Sequence, residues 1–353
     1  MRHAMLLIML FLSAGAGEAR AKAIIVQKEG GVIHTIQEAV AAARPGDTIL
    51  IGAGVYVENV LLENTGATGA WTTVRNMDGA SVIIDGSRQD TAAFTIKNSK
   101  YIRVQGLEFR NARRYGIVGL DSEYITITDC LAYANQWEGF LCLNSSHCDI
   151  LNSTGHDNVG DSFNYNNSRD SRMAGCVQYN GGNGLSVERG SKNIIVENNV
   201  FYRNWADGIL VYIDCRNVLL KHNLIYDVHV KDRLDNGQGH GIKITHGNSN
   251  VTVEGNTFAQ CRSAWVYEIA NNGGDIIYKN NTLAAIAARM PQEPRKAWGE
   301  EVVFKGPGDY PGFKACRWYT VKEIEQHGWG SGNVQVDLKS LGLDEKIKGL
   351  NIP

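Results

Sequence analysis

The 353-residue chain has only 6 prolines and 7 cysteines, and its formal net charge is just −2. Each shortage removes a class of protein. The near-balanced charge gives no basic field for nucleic acid, which is not an expected partner, and no like-charge run forms a tail. The cysteines, at 130, 142, 148, 176, 215, 261 and 316, contain no Cys-x-x-Cys pair and no zinc spacing. Their odd number leaves at least one unpaired, and they read as small buried residues rather than as a disulfide framework. The apolar run Ala4 to Leu12 is shorter than the roughly 20 residues of a membrane span, so no membrane insertion is expected. With Arg2 and His3 before it and Ala19-Arg20-Ala21 after it, residues 1–21 read as a secretory signal, placing the mature chain outside the cell or in a periplasm. A helical period of 3.6 is also missing, as is any leucine-rich consensus.

What is present is a repeat. Gly followed by a large apolar residue recurs as Gly116-Ile117, Gly139-Phe140, Gly184-Leu185, Gly208-Ile209 and Gly241-Ile242, with Ser162-Phe163 and Ala264-Trp265 in the same slot. Successive apolar anchors stand 23, 23, 22, 24, 33 and 23 residues apart. That spacing is a solenoid period. A second strand in each unit ends at Cys130, Ser153, Cys176, Asn199, Asn223, Asn256 and Asn281. Asparagines in one column can bond to each other only if each coil lies directly over the last, about 4.8 Å away. Short β-branched strands with Gly and Asn turns at this spacing predict an all-β chain: a right-handed parallel β-helix. An amphipathic helix over Thr35 to Ala43 is expected to cap its first turn, which would protect the open end from edge pairing. The expected organisation is a signal at 1–21, the β-helix over 22–285, and a covering C-terminal segment over 286–353, which holds five of the six prolines.

The opening "HTIQEAVAAARPGDTILIGAGVYVENV", followed by Ile83-Ile84-Asp85-Gly86, resembles the pectate-lyase-like superfamily of secreted β-helix proteins. The resemblance covers roughly residues 30–285 and implies the fold, with a polysaccharide as partner. It is far less specific about the reaction.

Strand alternation places the chemistry. The column two before the anchor reads Tyr115, Glu138, Asp161, Asn183, Asp207, His240, and the outward column one after it Val118, Leu141, Asn164, Ser186, Leu210, Lys243. The column three after it reads Leu120, Leu143, Asn166, Glu188, Tyr212, Thr245. The outward face is apolar in early coils and polar from Phe163 to Thr245. The one long unit inserts "VKDRLDNGQGH" beside this polar strip. For a uronic-acid polymer the fitting chemistry is β-elimination, with Lys243 as base and a cation or cationic group on the carboxylate. His240, Asp207 and Asp161 join Lys243 as candidate catalytic residues. Asn164, Asn166, Glu188, Tyr212, Trp205 and Arg233 are candidate substrate contacts, and Trp137 is a further ring near the acids. "GDSFNYNNS", Gly160 to Ser168, is similar to the acid-rich coil of the calcium-dependent pectate lyases but departs from it at Ser162 and Asn164. That similarity implies Ca²⁺ on Asp161, Asp207 and Glu138. Three alternatives stay open: a glycoside hydrolase using paired carboxylates such as Asp161 and Asp207, a uronate epimerase with His240 opposite Lys243, and a non-catalytic polysaccharide binder.

Overall fold

A computed structural model describes residues 21–228, 239–261, 264–270, 275–284, 314–318 and 330–336. The expected signal, Arg233 and most of the inserted loop therefore lie outside the described residues. Among these residues the strands form three sheets of twelve, ten and eleven strands, each coil giving one strand to each sheet. Pairing is parallel throughout except at the end of the ten-stranded sheet, where Ala264–Ala270 pairs antiparallel with Lys314–Trp318. The anchors stack in register, Ile117 on Phe140, Phe140 on Phe163, Leu185 on Ile209 and Ile209 on Ile242. The chain is a right-handed parallel β-helix, as the repeat requires.

Why glycine precedes the anchor is steric. A Cβ at Gly116 would stand 2.5 Å from the carbonyl oxygen of Gly139 on the next coil, and one at Gly208 would stand 2.6 Å from that of Gly241 and 2.4 Å from Ile225 Cγ2. The coils are too close for a side chain there. Gly208→Ala is expected to cost roughly 1–3 kcal/mol through this overlap alone, measurable as a lower denaturation midpoint with an unchanged slope.

The inward anchors are fully buried, and the Phe140 and Phe163 rings stack at 4.8 Å. Each such side chain adds about 1.5–3 kcal/mol of burial. The expected asparagine column is real and longer than its sequence suggests. Asn199, Asn223, Asn256 and Asn281 each accept from the backbone N–H of the preceding coil through Oδ1, and the ladder runs on to Asn333. A second ladder of Ser99, Ser122, Ser145, Ser168 and Ser191 does the same work at another turn. Helix Ile36–Ala42 begins with a capping box on Thr35 and buries Ile36, Ala39 and Val40 against the first-turn strands Ala23–Val26, Thr48–Ile51 and Val60–Glu63. Strands Lys314–Trp318, Gly330–Ser331 and Val334–Val336 continue the three sheets past residue 285.

The described cysteines are buried as expected, and one pair departs from the expectation of free thiols. Cys142 and Cys148 form a buried disulfide between adjacent strands of one coil, while Cys130, Cys176, Cys215 and Cys261 are buried free thiols. Six residues apart, the bonded pair lies on two inward-facing positions of neighbouring sheets, a relation that spacing alone does not show.

Candidate functional site

The ten-stranded sheet carries the two columns after the anchor on strands Phe163–Asn166, Leu185–Glu188, Ile209–Tyr212 and His240–Thr245, and Asp161, Asn183 and Asp207 lie just before the first three. At its later end Asp207, His240 and Lys243 converge. His240 Nδ1 stands 2.8 Å from Asp207 Oδ1, which also accepts from the His240 backbone N–H at 3.0 Å. The contact is a hydrogen bond in the tautomer that carries the ring proton on Nδ1, with the carboxylate oxygen accepting. Lys243 Nζ lies 3.9 Å from the other oxygen, Asp207 Oδ2. The Asp207 and His240 side chains are 3 % and 2 % exposed, Lys243 19 %. Of the three, only the Lys243 side chain reaches solvent to a useful extent. His246 joins the group: burial, then the neighbouring Lys243 charge, lowers its pKa against the opposing pull of Asp214. It packs edge-on against Tyr212 at 5.1 Å.

Two rungs away the acids behave differently. Asp161 Oδ1 accepts from the backbone N–H of Asn183, and Asn183 Oδ1 accepts from that of Asp207. The column two before the anchor is thus also a ladder, with Asn183 separating the two aspartates. Burial raises the Asp161 pKa, opposed by bonds from Ser186 and Asn183 and reinforced by the Asp207 charge. Burial and the Asp161 charge push Glu188 up too, although Asn164 and Asn166 bond to it, the latter at 3.1 Å. Glu138 is pushed up to about 7, first by burial and then by the charges of Asp161 and Glu188.

That shift has a consequence for stability. The folded chain keeps the Glu138 proton up to about 7 while the unfolded chain releases it near the ordinary 4.5, so the folded form binds more protons between these values. Stability therefore falls as pH rises through this window, by at most about 3 kcal/mol from this group. Glu138→Gln should remove this part of the fall, narrowing the difference in Tm between pH 5 and pH 8 on the order of several degrees.

The expected outward face is more enclosed than alternation implies. Val118 and Leu141 are buried with Ala92 in a cluster bordered by Tyr115, Leu120 and Leu143. Asn164 and Ser186 are 3 % and 0 % exposed, so both lie at the floor of the strip. Asn166, Glu188, Tyr212 and Trp205 are partly exposed. Trp137 is 48 % exposed, with Arg114 over its ring at 5.2 Å and Tyr115 edge-on at 5.7 Å.

The Ca²⁺ set does not assemble here. Among the described residues no three or more His, Cys, Asp and Glu side chains are arranged to hold a metal ion. Asp207 is bonded to His240 and faces a lysine, and Asp161 spends one oxygen on the ladder. These residues do not fit a shared Ca²⁺ site, and no step below uses one.

Two family descriptions match the chain in overlapping halves: "Pel9A-like, right handed beta helix region" over residues 26–174 and "Right handed beta helix region" over 138–288. Together they span residues 26–288, and both describe the right-handed β-helix of the pectate-lyase-like type. Among solved structures this β-helix protein is similar to the pectate lyase Pel9A, at 17 % identity over 76 % of each chain with a TM-score of 0.59. It is also similar to an alginate lyase from Paenibacillus sp. str. FPU-7, at 18 % identity over 74 % of this chain and 95 % of that one, TM-score 0.54. PfbA, a surface adhesin of Streptococcus pneumoniae, matches at 13 % identity over 74 % and 80 %, TM-score 0.55. At such identities the likeness establishes the fold, which serves enzymes and an adhesin alike. No curated protein sequence matches the chain significantly. No helix among the described residues is long and apolar enough to cross a membrane.

Proposed function

We propose that this β-helix protein is an exported polysaccharide lyase that cleaves a uronate-containing chain by β-elimination at Lys243. The observation that carries the reading is the Asp207–His240–Lys243 constellation, an amine at the surface of the strip with a buried, oriented carboxylate 3.9 Å behind it. The uncharged amine form of Lys243 takes the proton from C5. The C–H electron pair forms the C4–C5 double bond, the C4–O bond breaks, and the leaving oxygen takes a proton back from the Lys243 ammonium. Asp207 favours the ammonium formed between these events, and His240 holds Asp207 in place. Asn166, Tyr212 and Trp205 line the path of the chain. A disulfide between Cys142 and Cys148 suits an oxidising compartment and supports export.

One observation favours a second reading. Glu138, pushed up to about 7, suits a general acid, and Asp161 on the neighbouring rung would be its partner carboxylate in a glycoside hydrolase. Asp207 fits that role poorly because His240 and Lys243 already occupy it. Product analysis separates the readings. The mature protein acting on uronate polysaccharides is expected to make unsaturated uronosyl ends with ultraviolet absorbance. Saturated reducing ends alone would mean hydrolysis, and C5 inversion without cleavage would mean epimerisation.

A further inference from the structure

The proposed lyase centre occupies only the later rungs of the strip, and the earlier rungs have a different character. In register, Lys243 follows Leu210, Ser186 and Asn164, so Asn164 stands three rungs, about 14 Å, from Lys243. Around Asn164 gather Asp161, Glu188 and, one rung further, Glu138, with pKa values already raised by burial and mutual repulsion. Asn164 is 3 % exposed, and its Oδ1 accepts no hydrogen bond from the protein. Its amide nitrogen is turned to Glu188. Glu138 Oε2 is likewise buried without a hydrogen-bond partner. The nearest exposed ring, Trp137, adjoins Glu138 in sequence.

The buried atoms left without partners at this end of the strip, Asn164 Oδ1 and Glu138 Oε2, are both oxygens. This end suits a sugar that presents hydroxyl or amide N–H groups to the acids and an apolar C–H face to Trp137. A carboxylated sugar fails there twice, adding another acceptor and another negative charge where acids already repel.

A sugar in an extended chain has about the length of one rung, so a polymer lying across the strands sets successive residues on successive coils. In a homopolyuronate every residue carries a carboxylate. With one uronate at Lys243, three more would sweep past Ser186, Asn164 and the acids.

Resting on the elimination reading, we infer that the substrate is a mixed polysaccharide in which the uronate at Lys243 is followed, toward Asn164 and Glu138, by uncharged sugars. Glu138, Glu188 and Asn164 then act as specificity residues that select against a second carboxylate, the repulsive half of discrimination.

The test measures binding and product separately. Calorimetric titration compares an oligosaccharide of one uronate followed by uncharged N-acetylhexosamines with an oligogalacturonate of equal length, against wild-type protein, Glu188→Gln and Glu138→Gln. Circular dichroism verifies that each variant is folded. The expected result is at least tenfold tighter binding of the mixed oligosaccharide to wild type. In at least one folded variant the gap should narrow because the homopolymer binds better. Equal or tighter binding of oligogalacturonate to wild type, no binding of either sugar, or a gap unchanged in the folded variants would overturn the inference. Preferential binding of the mixed sugar without any unsaturated product would sink the elimination reading and leave this selectivity standing. Rapid elimination on the homopolymer, faster than on the mixed chain, would do the reverse.

Discussion

Lys243→Ala is expected to lower kcat by roughly 10²- to 10⁴-fold, with a much smaller change in KM. Lys243→Arg should do nearly as badly. The guanidinium keeps the positive charge beside Asp207 but cannot give up its proton near neutral pH, so it cannot serve as a base. If Lys243 only gripped an anionic sugar, the arginine variant would instead retain most of the activity and the alanine loss would fall on KM. Steady-state rates of unsaturated product formation across both variants decide between these outcomes. A crippled arginine variant means proton transfer; an active one means electrostatic grip.

The largest expected loss of stability comes from the asparagine ladder rather than from the site. Asn223 Oδ1 accepts from both the backbone and the side-chain nitrogen of Asn199, while its own Nδ2 donates to Val196 O and Asn256 Oδ1, all in the buried interior. Asn223→Leu strands several of these groups at once. At about 1–3 kcal/mol for each buried group left unpaired, a total of about 4 kcal/mol or more is expected. The exposed ladder provides the control. Asn217 bonds Asn193 at 2.8 Å on the surface with φ of 55°, a conformation glycine accepts, so Asn217→Gly should cost under about 1 kcal/mol. Denaturant titration of the two variants side by side measures the difference. Similar small losses in both would mean that the inner ladder is not a significant source of stability.

The fold could be read from the sequence because the solenoid writes its geometry as a period. Gly before each anchor, the 23-residue spacing and the Asn column all arise from one coil lying on the next, and strand register then fixes which residues share a column. Asp161, Asn183, Asp207 and His240 were legible as a column for the same reason. Their bonding was not. That Asn183 would hold Asp161 and Asp207 apart through backbone N–H groups depends on side-chain rotation, which a column does not specify. The serine ladder was missed because one Ser per coil among Asn and Gly looks like ordinary turn composition; its recurrence at 99, 122, 145, 168 and 191 was the available signal.

The diagonal from Lys243 to Asp207 was hidden for another reason. It crosses one rung and two columns, and only the reach of a four-carbon side chain joins positions that alternation treats as separate. The floor position of Asn164 was also illegible, since strand alternation gives the face but not the depth. The disulfide between Cys142 and Cys148 links inward positions on two sheets, a proximity created by the corner between strands Phe140–Leu143 and Ser146–Leu151.

The account turns on where a sugar chain lies. The most direct measurement is a crystal structure of Lys243→Ala with an intact oligosaccharide of one uronate followed by uncharged N-acetylhexosamines. The account predicts a uronate with C5 facing residue 243, its chain crossing the strands toward Asn164, and an uncharged ring beside Glu138. A sugar bound on either of the other two sheets, or one lying on this strip with a carboxylate against Asp161 and Glu188, would contradict it.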